Sequence, residues 1–210
     1  MIFKTIANDL ERLLVVVKKM CDKTKKLFKL VFIVMLIVAG YYLKQVDTAQ
    51  ISTYCAFCDF KNRVDRQETY VYEDDLVQAF PSVSPIHPGH MLVIPKRHVR
   101  QFEDLSEVEV NRIMAVLKKI HQAFSILLPE PPAYFMWQKN GREAFQTVPH
   151  VHFHYIPRPK GSFSNVMFFG VHVLIGGLIR GWLTPEALRK EAERVRTAMS
   201  GQKTLVSAAI

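Results

Sequence analysis

Hydrophobic and polar positions follow two periods along this chain, and the period changes at recognisable breaks. Over residues 1–29, Ile2, Ile6, Leu10, Leu13, Leu14 and Val17 recur at helical spacing with Lys and Arg between them, which predicts a basic amphipathic helix. Leu30 to Leu43 then runs fourteen residues without a charge, bracketed by Lys29 and Lys44. With Leu27 and Phe28 added and both lysines reaching outward, the run meets the lower limit of about 17 residues for crossing a bilayer. Tyr41 and Tyr42 sit where an interfacial aromatic belt would lie. The pattern predicts a single transmembrane anchor within residues 1–46; a buried helix, or one lying flat at an interface, is the alternative.

Residues 47–53 read as a short polar linker, and a globular part follows over 54–162. Thr69–Tyr72, Leu76–Phe80 and Met91–Ile94 read as strands, the first two joined by a Glu73-Asp74-Asp75 turn. Glu107–Leu127 reads as a helix: Val110, Ile113, Leu117, Ile120 and Phe124 form an apolar stripe, Ser106 is a suitable N-cap, and Pro129, Pro131 and Pro132 stop it. Ala133–Gln138 is a further strand, Lys139–Phe145 a loop, and Pro149 opens a last strand. Over 163–210, Val166–Ile179 is uncharged but broken by Gly170, Gly176 and Gly177, and reads as a core or interface segment rather than a second span. A final helix runs from Pro185 to about Met199 on a face of Leu188, Ala192, Val195 and Met199, with a frayed tail from Gly201. Strands, one long helix and more strands predict an α+β fold on an antiparallel sheet, with a transmembrane helix before it and a helix after it.

Charge alters the picture at one end only. The net charge is +9, but residues 1–46 hold nine Lys or Arg against Asp9, Glu11 and Asp22, so +6 comes from this arm and +3 from everything else. The basic balance argues against a nucleic-acid partner for the globular part and for anionic lipid beside the arm. Six lysines within residues 18–29 crowd the side before the apolar run and Lys44 alone follows closely, which by the positive-inside rule leaves the N-terminus in the cytosol. Outer-mitochondrial anchors escape that rule, so the membrane and the side stay open. Three cysteines make no disulfide framework: Cys55 and Cys58 form a C-x-x-C that reads as a metal clip or a reduced dithiol, and Cys21 is a lone thiol near the membrane.

The chemistry concentrates in Gln146–Arg158, QTVPHVHFHYIPR. His150, His152 and His154 alternate with Val151, Phe153 and Tyr155, so a strand here puts imidazoles on one face and hydrocarbon on the other. Imidazoles in a row ligate metals, or they move protons and attack electrophiles.

These residues resemble the histidine-triad (HIT) family. HVHFHYI matches its His-φ-His-φ-His-φ-φ signature, where φ is hydrophobic. PGHMLVIPKRHV (Pro88–Val99) resembles its second signature, CAFC (Cys55–Cys58) its zinc-bearing variant, and Gly141, Ala144, Gln146 and Val148 its loop before the triad. The resemblance spans about residues 54–160. It implies hydrolysis or transfer at the α-phosphate of nucleotide derivatives such as phosphoramidates, adenylylated amines and dinucleoside polyphosphates. By resemblance His152 is the nucleophile and carries a nucleotidyl group, while His150 and His154 flank the phosphate. Asn140, Gln146 and Thr147 match phosphate-contacting loop positions, Ser82 matches the ribose position, and His90 lies beside the substrate. The resemblance also implies a structural zinc on Cys55, Cys58, His90 and His150, and a homodimer; His87 and His98 fall outside the matched positions.

Two positions depart from the family. Ser82 stands where Asp or Asn usually grips the ribose, and Phe145 stands where Gly usually precedes Gln146. Two other readings remain beside the hydrolase. One is a metal on all three histidines that activates water; the other is a nucleotide-binding or scaffolding module without catalysis.

Overall fold

The structure is a computed structural model that describes residues 24–27, 29–41, 43–48, 51–59, 66–158 and 183–207. The expected amphipathic helix over 1–29 falls mostly outside these residues, and Cys21 and the Val166–Ile179 segment fall wholly outside them. The chain divides into two compact units, Met1–Tyr42 and Leu43–Ile210.

Helix α1 spans Thr24–Thr48, and its apolar window has a mean hydropathy of 2.0 with none of it buried. At 1.5 Å per residue it is about 37 Å long, enough by length and composition to cross a bilayer. Its last turn extends into the stretch read as linker. Thr48 Oγ1 donates back to the Lys44 carbonyl, Val46 is buried, and Arg142 Nε pairs with Asp47 Oδ1 at 2.6 Å.

The second unit is an antiparallel five-stranded sheet in the order β1-β2-β3-β5-β4. Its strands are β1 (Tyr72–Glu73), β2 (Val77–Pro81), β3 (Met91–Pro95), β4 (Ala133–Gln138) and β5 (Phe153–Arg158). The expected strand at Thr69 is cut short, because Arg66–Thr69 forms a helical turn, α2. Asp74 makes the β1–β2 turn: its Oδ1 accepts from the N–H groups of Leu76 and Val77, as an Asx turn requires.

Alternation along the strands sorts the two faces. Val77, Ala79, Met91, Val93, Phe153 and Tyr155 point to one face, where they form the main core with α3 (Glu107–Leu127) and α4 (Pro185–Ser207). Helix α3 begins at the expected residue. Ser106 accepts from Glu109 N–H while the Glu109 carboxylate accepts from Ser106 N–H, a full capping box. Glu109 is buried, and Arg97 grips its two carboxylate oxygens at 3.2 and 2.9 Å, which holds its pKa down to about 2. Helix α4 runs past the expected end at Met199, and Leu188, Ala192, Val195 and Ala198 form its buried face.

The opposite face carries Phe80, Leu92 and Ile94 with Tyr70, and Phe57 and Val83 pack against them. Gly89 sets the entry to this face. It has φ +85, and a Cβ there would lie 2.7 Å from both Phe124 and Pro157, so glycine is required just before His90.

Candidate active site

The second face brings the histidines together, but not as a row of three. Strand β5 starts only at Phe153, so His154 sits in the sheet, opposite Leu92 on one side and Trp137 on the other. His150 and His152 lie in the extended segment that leads into it. The rings of His152 and His154 are 4.8 Å apart. The His150 ring turns away, and both of its nitrogens are engaged: Nε2 on the Pro95 carbonyl at 2.9 Å, Nδ1 on Cys55 Sγ at 3.4 Å. The expectation that His150 and His154 together cradle a phosphate is therefore corrected. The second neighbour of His154 is His90, with ring centroids 5.1 Å apart.

Hydrogen bonds fix the protons on these rings. His152 Nδ1 lies 2.6 Å from the His150 carbonyl oxygen, which can only accept, so in the neutral ring Nδ1 carries the proton and Nε2 the lone pair. Ile86 N–H, which can only donate, lies 3.1 Å from His90 Nδ1, so His90 carries its proton on Nε2. That proton is donated to His154 Nδ1 at 2.8 Å, leaving the His154 proton on Nε2. His154 Nε2 is buried and has no hydrogen-bond partner among the described residues. A buried donor without a partner is costly, and it beckons an acceptor. Burial keeps these rings neutral, pushing His90 down to about 3, His152 to about 4 and His154 well below the ordinary imidazole range. The site thus offers an imidazole lone pair beside an N–H donor. Phe57 packs edge-on to His152 at 5.3 Å.

The metal-ligand expectation needs one correction. Cys55, Cys58, His98 and His150 place their ligand atoms within 4.8 Å of one another; His98, not His90, is the fourth member. Cys58 Sγ lies 3.4 Å from His98 Nδ1 and 3.7 Å from His150 Nδ1. Ligand atoms on a tetrahedral zinc lie about 3.3–3.8 Å apart, given bonds of about 2.0–2.3 Å, so this donor set fits. The Pro95 carbonyl holds the His150 proton on Nε2 and leaves Nδ1 for the metal. His90 is excluded because its two nitrogens serve Ile86 and His154. The link that brings His98 to His150 is a backbone bond, Val151 N–H to the Val99 carbonyl at 2.7 Å, between segments far apart in sequence. Nothing in the spacing of the C-x-x-C signals it.

The loop candidates divide. Gln146 is buried; its Oε1 accepts from Gly141 N–H and its Nε2 donates to the Arg100 carbonyl, so its side chain closes the loop rather than meeting phosphate. Asn140 accepts from Phe102 N–H and donates to Glu103, each at 2.8 Å, which ties the loop to the 3-10 turn Phe102–Asp104. Thr147 is exposed. Ser82 is buried, and its N–H donates to the His90 carbonyl at 2.9 Å, on the site face. Phe145 adopts φ +58, the left-handed conformation that explains why a glycine suits this position.

Fold and site together define an antiparallel-sheet protein built around paired, buried histidines. The HIT domain model matches residues 63–161. The asymmetrical bis(5'-nucleosyl)-tetraphosphatase of Schizosaccharomyces pombe is 35% identical over 130 residues, 61% of this chain and 71% of that protein. The adenosine 5'-monophosphoramidase of the same organism is 32% identical over 145 residues, 67% of this chain and 95% of that protein. A zinc-bound histidine triad protein from Mycobacterium smegmatis superimposes with a TM-score of 0.53 at 24% identity, covering 72% of this chain and 96% of that one. The chain belongs to the HIT-domain family.

Proposed function

We propose that this protein hydrolyses nucleotide derivatives at the α-phosphate through a nucleotidyl-His152 intermediate. The observation that carries this is the proton arrangement: the His152 Nε2 lone pair beside the unpartnered N–H of His154. In the first step His152 Nε2 bonds to phosphorus, and the bond from phosphorus to the leaving group breaks with its electron pair going to that group. The His150 carbonyl steadies the imidazolium that forms, and His154 Nε2–H donates to a phosphoryl oxygen as charge builds there. Water then bonds to phosphorus and gives up a proton to solvent, the P–N electron pair returns to His152 Nε2, and a nucleoside monophosphate leaves. The apolar patch of Phe57, Phe80, Val83 and Leu92 beside His152 suits a planar base. The relatives named as a tetraphosphatase and a phosphoramidase support the reaction class. A metal on all three histidines is disfavoured, because His150 faces the cysteines.

Zinc on Cys55, Cys58, His98 and His150 would tie the N-terminal knuckle to the triad segment and supply stability; water activation lies with the histidines. Helix α1 anchors the protein in a membrane as a single pass, supported by its length and hydropathy. A homodimer is the expected assembly. Adenosine 5'-phosphoramidate tests the chemistry: the wild type should release AMP, and His152→Ala should lose at least about 10³-fold in kcat/KM. Equal release by both proteins would refute the covalent route. Resistance of the full chain to carbonate extraction from membranes tests the anchor.

A further inference from the structure

Strand β4 brings a cation to the nucleophile. Trp137 stands opposite His154 and Gln138 opposite Phe153 in the β4–β5 register. Lys139 follows the last registered pair, Gln138–Phe153, and His152 precedes it, so the two residues lie at the same end of the β4–β5 ladder. Its position is steadied by Gln138 Nε2, which donates to the Lys139 carbonyl at 2.7 Å, and its side chain is half-buried. The field of its ammonium is felt at both His152 and His154. Among the described residues, the other side chains whose charge bears on these rings are histidines that burial keeps neutral. Of the three loop side chains that the sequence nominated for phosphate, Asn140 and Gln146 are spent on the loop itself and Thr147 is exposed.

We propose that Lys139 determines substrate preference, pairing with the phosphate chain beyond the α-phosphate so that phosphate leaving groups are favoured over neutral amines. This rests on the α-phosphate reading above. A departing amine offers this cation no anionic partner. A departing phosphate chain does, and a charge-assisted bond beside a hydrocarbon wall is stronger than the same bond in open water. Stabilisation of oxygens on the α-phosphate itself would serve both substrate classes alike, and so would not discriminate.

The full chain in detergent should be assayed as wild type, Lys139→Gln and Lys139→Arg, with diadenosine tetraphosphate and adenosine 5'-phosphoramidate. For Lys139→Gln, the ratio of kcat/KM for the tetraphosphate to that for the phosphoramidate should fall by about tenfold or more, and Lys139→Arg should restore most of it. A loss by the same factor on both substrates, or no loss on either, overturns the proposal. A parallel binding measurement does not need turnover. In the His152→Ala background, calorimetry should show Lys139→Gln weakening ADP about tenfold relative to AMP; an unchanged ADP-to-AMP ratio overturns the proposal even if the covalent reading stands. Wild type inert on both substrates, with the ADP preference still dependent on Lys139, would instead sink the hydrolase reading and leave the phosphate-chain contact intact.

Discussion

His152 and His154 are chemically alike and are set to opposite tasks by what each Nδ1 meets. A carbonyl holds the His152 proton on Nδ1, while the His90 N–H holds the His154 proton on Nε2. Burial then keeps both from charging near neutral pH. The sign of the pH dependence follows. These imidazoles have lowered pKa values, so they stay neutral as pH falls through the ordinary imidazole range and charge only near pH 4 and below. The kcat/KM for a substrate that does not itself titrate should stay level from pH 8 to about 5.5 and decline below that. A midpoint near 6.5 would show that solvent reaches the rings far more than their burial implies. The imidazole alternation that marks this site can be read directly from the sequence, because a period of two needs only neighbouring residues. The roles of the separate nitrogens cannot, because the His154 tautomer is set by His90, 64 residues away, and the His152 tautomer by how the backbone folds back at His150.

At the scale of elements, two short pieces hold the site. Gly89 lets β3 begin with His90 on the site face under Phe124 and Pro157. Gly89→Ala should destabilise by about 3 kcal/mol, from the strained φ and the overpacking together, and lower activity by displacing His90. A thermal midpoint within a degree of wild type would contradict this. The cysteine knuckle is the second piece. The Cys58 thiol is a poor ligand until a metal draws off its proton, since burial and the neighbouring Cys55 push it up to about 11. Chelation, or Cys58→Ser, should lower the melting temperature by several degrees and remove about one zinc per chain measured by elemental analysis. Purified protein with full stability and no zinc would show that the four residues form a dithiol cluster instead. The α3 helix and its Ser106 N-cap were legible to the residue, because a cap acts within one turn. The start of β1 was not, because the Arg66–Thr69 turn overrides β-propensity there.

At the scale of the whole molecule, the sheet of the described residues has an edge at β4. Strand β4 is the last strand, and its Tyr134, Phe135 and Met136 are each more than 40% exposed. Beside it a cavity of about 300 Å³ lies between α3 and β4, lined by Met114, Leu117, His121, Tyr134, Met136 and Tyr155. An apolar edge strand of this kind invites pairing. Light scattering on detergent-solubilised protein should give the mass of two chains. Tyr134→Lys with Met136→Lys should halve it, and a wild type of one chain's mass at micromolar concentration would remove the homodimer.

The sequence alone determined the periods: an alternation of imidazoles with apolar residues, a capped helix, an apolar run long enough to cross a bilayer and a pair of cysteines, each written within a few neighbouring residues. Tertiary structure decided which nitrogens and thiols meet. It placed His98 rather than His90 with the cysteines, turned His150 out of the row, and brought Lys139 and His152 to the same end of the β4–β5 ladder, because strand pairing joins residues whose distance along the chain carries no signal.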